Sequence, residues 1–303
     1  MSRTLCLATF FIGMSFSGMT QDLDYKMVSG AGGVPLNTVE AGDKTKPGIL
    51  LIHGFGQSQN SFQAQLESVE LTRDFHLVAF DLRGHGNSGK PWKPEDYKNS
   101  KIWADDVVAV MDATGLQKAV VVGWSFGGFV VANLVEHYGT ARIRGINLVG
   151  SAAGLLEANF APPANAEAAK AMADNRTRQV SGSIYENIKA AKAGGGFLTA
   201  QPGNASWQDL AYAGNLLLLP YVRTALTGRN LDNRAVLLKI NVPTVITRGS
   251  VDGVITQAQA EELSKTINGA KMSIYDGAGH SPFYEAPERF NKELAAFAAA
   301  VSK

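Results

Sequence analysis

The sequence predicts an α/β protein: a doubly wound, mostly parallel sheet flanked by helices, with a helical segment inserted late in the chain. Three observations carry that expectation. Short apolar runs alternate with helical stretches along most of the chain. The runs are continuously apolar, as strands covered on both faces are. Finally, 95 residues separate Val149 from Thr244, where a simple crossover needs far fewer. Composition agrees. Of 303 residues 45% are hydrophobic and 18% charged, against roughly 25% charged in average soluble chains, which excludes a highly charged disordered chain. A net charge of +1 without a long basic run leaves no electrostatic footprint for nucleic acid.

The elements follow in order. Residues 1–20 carry Arg3, an apolar run to about Phe16, and the small residues Ser17, Gly18 and Thr20. This is the pattern of a secretory signal peptide cleaved near Thr20, so a secreted or periplasmic mature protein is expected, and a cytoplasmic one if the segment is kept as a helix. Cys6, the one cysteine, lies inside it, so no intramolecular disulfide or zinc–cysteine cluster can form. No other apolar run approaches about 18 residues, and no membrane-spanning helix is expected. Segments 25–29 and 36–40 flank Gly30-Ala31-Gly32-Gly33 and read as an antiparallel hairpin on the sheet edge. Segments 49–52, 77–80, 119–122, 146–149, 245–246 and 272–274 read as parallel strands, giving an eight-stranded sheet with right-handed crossovers. Helices are expected over 61–71, 103–114, 126–138, 256–267 and 287–301, with Gly139 as a C-cap and Pro287 in a first turn. The core then comprises 21–153 and 241–303. The insertion, 154–240, carries alanine-rich helical stretches at 164–173 and 185–193, glycine breaks at 194–196 and the run Leu216-Leu217-Leu218-Leu219, and reads as a helical cap.

The chemistry centres on Gly123-Trp124-Ser125-Phe126-Gly127-Gly128, directly after one strand and at the start of a helix. In that context Gly-x-Ser-x-Gly is a nucleophile elbow: the turn is so sharp that only glycine fits two residues either side of the serine. The turn lifts the Ser125 hydroxyl out at the carboxyl edge of the sheet, and the helix N-terminus behind it favours developing negative charge. The hydroxyl needs a base. His280, in the loop after the last strand, stands at the same sheet edge. His76 starts a strand at the opposite edge, His137 sits near a helix C-terminus, and His85 lies in a polar turn. The base needs a carboxylate to fix its tautomer. Asp252 follows the strand before His280's, at the proper edge, which gives the order Ser…Asp…His. Asp276 reads as a turn-forming carboxylate, and the loop 150–153 has no acid. The oxyanion needs two backbone donors. These are expected to be the N–H groups of Phe126 and of Phe55 in His53-Gly54-Phe55-Gly56, with His53 bracing that turn.

With these residues in view, the chain resembles the α/β-hydrolase superfamily. The matching features are His53-Gly54-Phe55-Gly56, Asp81-x-Arg83-Gly84-x-Gly86-x-Ser88, Gly123-x-Ser125-x-Gly127-Gly128, Asp252 and Gly279-His280, in the family's order over almost the whole mature chain. The resemblance implies the α/β-hydrolase fold and, within the family, its serine esterases, lactonases and cofactor-free haloperoxidase-like members with a helical cap. Epoxide hydrolases and haloalkane dehalogenases use an aspartate nucleophile and the dienelactone type a cysteine, so Ser125 argues against them. Carbon–carbon hydrolases, lyases and perhydrolases of the family use serine and stay open. The expected activity is cleavage of a small-molecule carboxylic ester or lactone through an acyl-enzyme, without a cofactor. No H-E-x-x-H, clustered histidine or calcium-loop pattern suggests a metal, and no G-x-G-x-x-G opens the first strand–helix unit. A binding protein that kept the fold and lost catalysis is the contrasting reading. Trp124, Trp207, Tyr212 and Leu217 are the candidates for an apolar substrate pocket.

Overall fold

In a computed structural model of the protein, residues 22–155, 165–194, 198–227 and 232–303 are described. The expected leader, residue 164 of the first alanine-rich stretch and the glycines at 195 and 196 lie outside them. The eight strands are β1 (Asp24–Ser29), β2 (Pro35–Ala41), β3 (Gly48–Ile52), β4 (His76–Phe80), β5 (Ala119–Trp124), β6 (Ile143–Val149), β7 (Thr244–Gly249) and β8 (Lys271–Tyr275). They form one sheet in the order β1-β2-β4-β3-β5-β6-β7-β8. The β1–β2 and β2–β4 pairings are antiparallel and all others parallel, so the hairpin is added to the edge of a parallel sheet.

Helices cover both faces. Between β3 and β4 run α1 (Gln63–Leu66) and α2 (Val69–Asp74), and between β4 and β5 run α3 (Glu95–Lys98) and α4 (Ser100–Ala113). Next, α5 (Phe126–Tyr138) joins β5 to β6. The described part of the insertion holds α6 (Ala166–Gln179), α7 (Ile184–Gly194), α8 (Ala205–Leu217), α9 (Pro220–Thr227) and α10 (Arg234–Leu237). The chain ends with α11 (Gln257–Thr266), α12 (Pro282–Glu285) and α13 (Pro287–Val301).

Strand pleating explains why the apolar runs are continuous. Leu50, Ile52, Val78, Phe80 and Val121 pack on one side with Trp103 and Val107 of α4, Val130 of α5 and Leu263 of α11. Their neighbours Ile49, Leu51, Leu77, Ala79, Val120 and Val122 pack on the other with Leu66, Leu71, Phe290 and Leu294. Both faces are buried, so no polar alternation survives. The expected helix over 61–71 is corrected: a short 3-10 turn over Gln59–Phe62 leads into α1, and the chain breaks before α2. Ser68 takes an extended backbone there, and its hydroxyl accepts from Leu71 N–H. That cap starts a new helix where an uninterrupted one had been expected.

The turn after β4 is held by carboxylates. Asp81 accepts from the backbone N–H groups of Gln59 (2.8 Å) and Asn87 (2.8 Å) and from the side chain of Asn37 (2.9 Å). A Cβ on Gly86 would fall 2.3 Å from an Asp81 oxygen, which explains glycine there. Arg83 pairs with Asp106 of α4 through two hydrogen bonds (2.5 and 2.7 Å), both side chains being buried. Asp106 also accepts from Ala31 N–H. Removing one partner strands a buried charge. Asp106→Ala is therefore expected to destabilise the fold by about 3–5 kcal/mol. Urea unfolding of the two proteins measures this, and a midpoint equal to the parent's would show that the pair contributes nothing.

Candidate active site

Ser125 sits between β5 and α5 with φ 52° and ψ −115°, a left-handed backbone that non-glycine residues seldom adopt. Its surroundings force the turn. A Cβ on Gly123 would lie 2.8 Å from the carbonyl carbon of Gly127, and one on Gly127 would lie 2.2 Å from the Ile52 carbonyl oxygen. Both obstacles are backbone, so neither can yield cheaply. Gly54 passes so close that its Cβ would be 3.1 Å from that of Ser125. The Ser125 N–H donates to Val149 O (2.9 Å), and its carbonyl accepts from the Ser151 hydroxyl (2.7 Å) and Gly128 N–H (3.0 Å). The serine is thereby fixed to the end of β6.

His280, in the loop after β8, lies against the ends of β5 and β6. Its ring lies against Gly150, where a Cβ would fall 3.0 Å from Nδ1, and its carbonyl accepts from the Trp124 indole N–H (2.9 Å). Asp252, after β7, faces the imidazole squarely: Nδ1 is 3.1 and 3.0 Å from its two oxygens, with both side chains buried. Asp252 also accepts from the N–H groups of Val254 (2.7 Å) and Ile255 (3.1 Å). Burial opposes ionisation of Asp252, but the bond and charge of His280 and the two backbone donors outweigh it and hold the carboxyl below its ordinary value. An ionised carboxylate only accepts hydrogen bonds. Nδ1 must therefore carry the proton, which leaves the Nε2 lone pair available to take one.

The turn 53–57 is braced from behind. Leu82 N–H donates to His53 Nε2 (2.9 Å), so the remaining ring nitrogen, 2.7 Å from Gly54 O, is the donor. His53 is a neutral strut, and its complete burial lowers its pKa. Gln57 N–H closes the turn on Gly54 O, with Gly56 at φ 66° in the position that favours glycine. Phe55 and Phe126, which carry the two expected backbone donors, pack edge to face at 6.1 Å. His85 stands behind both rings, its Nδ1 on Arg83 O (3.0 Å).

Structure and expectation part at the pocket residues. Trp124 is fully buried, and its position is behind His280, against Trp207 and Phe283, instead of lining an opening. Pleating turns the side chains of Val120, Val122 and Trp124 to one face. Trp207 is buried and stacks on Tyr284 at 4.0 Å. Tyr212 is half-buried. Leu217 is 40% exposed at the end of α8, and its neighbour Leu218 turns inward instead. Asp276 is exposed and accepts from Ser250 Oγ (3.3 Å), as a turn carboxylate does. Sequence reading missed Arg248. From β7 its guanidinium donates to Ile255 O (2.7 Å), Ser250 O (3.3 Å) and Asp252 O (3.4 Å) and so shapes the loop that carries Asp252. A charged residue at the end of an apolar strand is the signal that could have found it. Among the described residues no group of three or more His, Cys, Asp or Glu could hold a metal ion, and no helix is long and apolar enough to cross a membrane.

A serine on a strand-to-helix elbow with a histidine–aspartate pair on the following strand ends defines a hydrolase-type enzyme on this sheet. The α/β hydrolase fold family matches residues 47–287, and the chain belongs to it. It is 27% identical to the bifunctional esterase/perhydrolase DCH of Acinetobacter calcoaceticus over 88% of this chain and 96% of that one. It is 27% identical to 3-oxoadipate enol-lactonase 1 of Acinetobacter baylyi over 89% and 96%. The crystal structure of the esterase RhEst1 from Rhodococcus sp. superposes with a TM-score of 0.80 at 28% identity, covering 91% of this chain and 99% of that one.

The protonation pattern is open to measurement. Nitrogen-15 NMR at a pH where His280 is neutral should find its proton on Nδ1. Asp252→Asn should move the proton to Nε2, because the amide can offer N–H where the carboxylate could not. An unchanged tautomer in that variant would show that Asp252 does not set it.

Proposed function

We propose that the protein is a serine hydrolase that cleaves a small-molecule carboxylic ester or lactone. The observation that carries this reading is the buried Asp252–His280 pair, on the same sheet edge as the elbow that carries Ser125. His280 Nε2 takes the Ser125 proton as Oγ bonds to the carbonyl carbon. The carbonyl electrons move onto oxygen, where the N–H groups of Phe55 and Phe126 receive them as an oxyanion hole. The C–O bond to the alcohol then breaks, and His280 gives the proton to the leaving oxygen. In a lactone that oxygen stays tethered. Water, deprotonated by His280, next attacks the acyl-enzyme and releases the acid and the free serine. Asp252 stabilises the imidazolium formed in each step. Side chains and two backbone N–H groups carry every step, so the proposed reaction calls for no cofactor.

The insertion acts as a cap over this centre, with the half-buried Tyr212 of α8 as the aromatic candidate for a substrate wall. A perhydrolase reaction needs only hydrogen peroxide in place of water at the acyl-enzyme. The similarity to a bifunctional esterase/perhydrolase supports that as a second reading. We also propose that residues 1–20 are a secretory leader. Mass analysis of exported protein should then find a chain beginning near Gln21, and a soluble, active protein retaining Met1 would overturn it.

The triad reading makes graded expectations for steady-state rates on an activated ester. Ser125→Ala and His280→Ala should each lower kcat by up to about 10⁶-fold, and the double variant little further, because the residues act as a unit. Asp252→Asn should cost about 10⁴-fold through the wrong tautomer. Near-parental turnover by Ser125→Ala would refute the serine mechanism.

A further inference from the structure

Glu285 bonds to backbone on both sides of the junction between the insertion and the His280 loop. Its Oε1 accepts from Gly279 N–H (2.8 Å) and Ser281 N–H (3.3 Å), the residues either side of His280. Its Oε2 accepts from Ala200 N–H (2.7 Å), which belongs to the insertion. The arrangement is local in origin. The N–H groups of Tyr284 and Glu285 both donate to Ser281 O (2.9 Å), so α12 turns back at once and brings the carboxylate over the loop it has just left.

The two segments it joins are in direct contact. A Cβ on Gly279 would lie 2.4 Å from Ala200 N and 2.7 Å from Thr199 C, both backbone atoms. The neighbouring residue supplies a second anchor: Tyr284 Oη accepts from Asn204 N–H (3.0 Å), and its ring stacks on Trp207. Asp252 holds the His280 ring and Trp124 holds its carbonyl. Glu285 holds the N–H of the Ala278–Gly279 peptide, one residue before His280, and shares with Trp124 the fixing of the His280–Ser281 peptide.

We propose that Glu285 is a positioning residue that couples the seating of the insertion to the alignment of His280. This rests on His280 being the base for Ser125. A carboxylate can satisfy N–H groups on both sides because both its oxygens accept. If the insertion shifts, Oε2 loses Ala200 and the carboxylate is free to rotate, and the N–H groups of Gly279 and Ser281 lose their fixed acceptor. A substrate that seats the insertion therefore also sets the base. The effect belongs to proton transfer rather than to substrate affinity, so it appears in kcat and not in KM.

Glu285→Gln tests this with little change of shape, because the amide presents a donor to one of the two segments in place of an acceptor. The measurements are the rate of Ser125 labelling by a fluorophosphonate, kcat and KM on an uncharged ester, and the melting temperature, all on the full chain. Glu285→Gln should lower the labelling rate and kcat by about 10- to 100-fold with KM unchanged, as a small misplacement of a reacting group does. Glu285→Asp, which keeps both accepting oxygens on a shorter stem, should recover part of the loss. Tyr284→Phe should lower the labelling rate in the parent and add little in Glu285→Gln, because both act through the same seating. Parental labelling by Glu285→Gln, a loss confined to KM, or full additivity with Tyr284→Phe would each overturn the proposal. A parent protein that takes no label would instead overturn the serine reading, and this coupling with it.

Discussion

The close approach of α5 to the end of β3 is the constraint on which the site depends. Gly127 stands with its Cα so near the Ile52 carbonyl that no side chain fits between them. That contact fixes where α5 begins, and with β5 it leaves one residue to make the whole reversal. Ser125 is that residue, and its left-handed backbone is the geometric remainder of two rigid elements meeting. The turn holding Phe55 begins where β3 ends, so the same contact sets the distance between the serine and its proposed oxyanion donors.

Around this point the protein spends its buried polar groups on holding loops still. His53 links the turns after β3 and β4 as an uncharged strut. Arg248 gathers the carbonyls of the β7 loop. Asp81 and the Arg83–Asp106 pair tie the β4 turn to the edge hairpin and to α4. The partners are backbone groups, the Asn37 amide or an opposite charge, which makes a buried polar side chain tolerable and makes the loop rigid. Parallel strands bring the loops that follow them to one rim of the sheet, and these ties turn that rim into a fixed surface.

Much of this was legible in the sequence because a parallel sheet converts chain order into position. Each continuous apolar run marks a strand, and the loop after each parallel strand lies at the carboxyl rim. Asp252 and His280 could therefore be placed together although they stand 28 positions apart in the chain. The period of two places Trp124 on the face of Val120 and Val122, but with both sheet faces buried that period gives only the face, and the ring's seat against Trp207 and Phe283 comes from packing. The break at Ser68 was also readable as a capping serine. The insertion is different. A run of four leucines carries no polar contrast to mark where the helix ends or which one faces in, and only the packed neighbours select Leu218, just past the end of α8, over Leu217. Glu285 escaped notice because its partners are main-chain N–H groups, which leave no mark on the sequence pattern.

The position of the insertion has a consequence for the order in which the protein forms. β6 pairs with β7 across the whole insertion, Ile146 opposite Thr244 and Val149 opposite Thr247. Contacts of such sequence separation form slowly, because a long loop must be closed before any pairing rewards it. The first six strands and their helices are contiguous in the chain and emerge from the ribosome together, while β7 and β8 arrive last. The elbow serine is thus built early, and the loops bearing Asp252 and His280 are added only when the sheet is completed. A chain halted before its final strands would carry the proposed nucleophile without the proposed base.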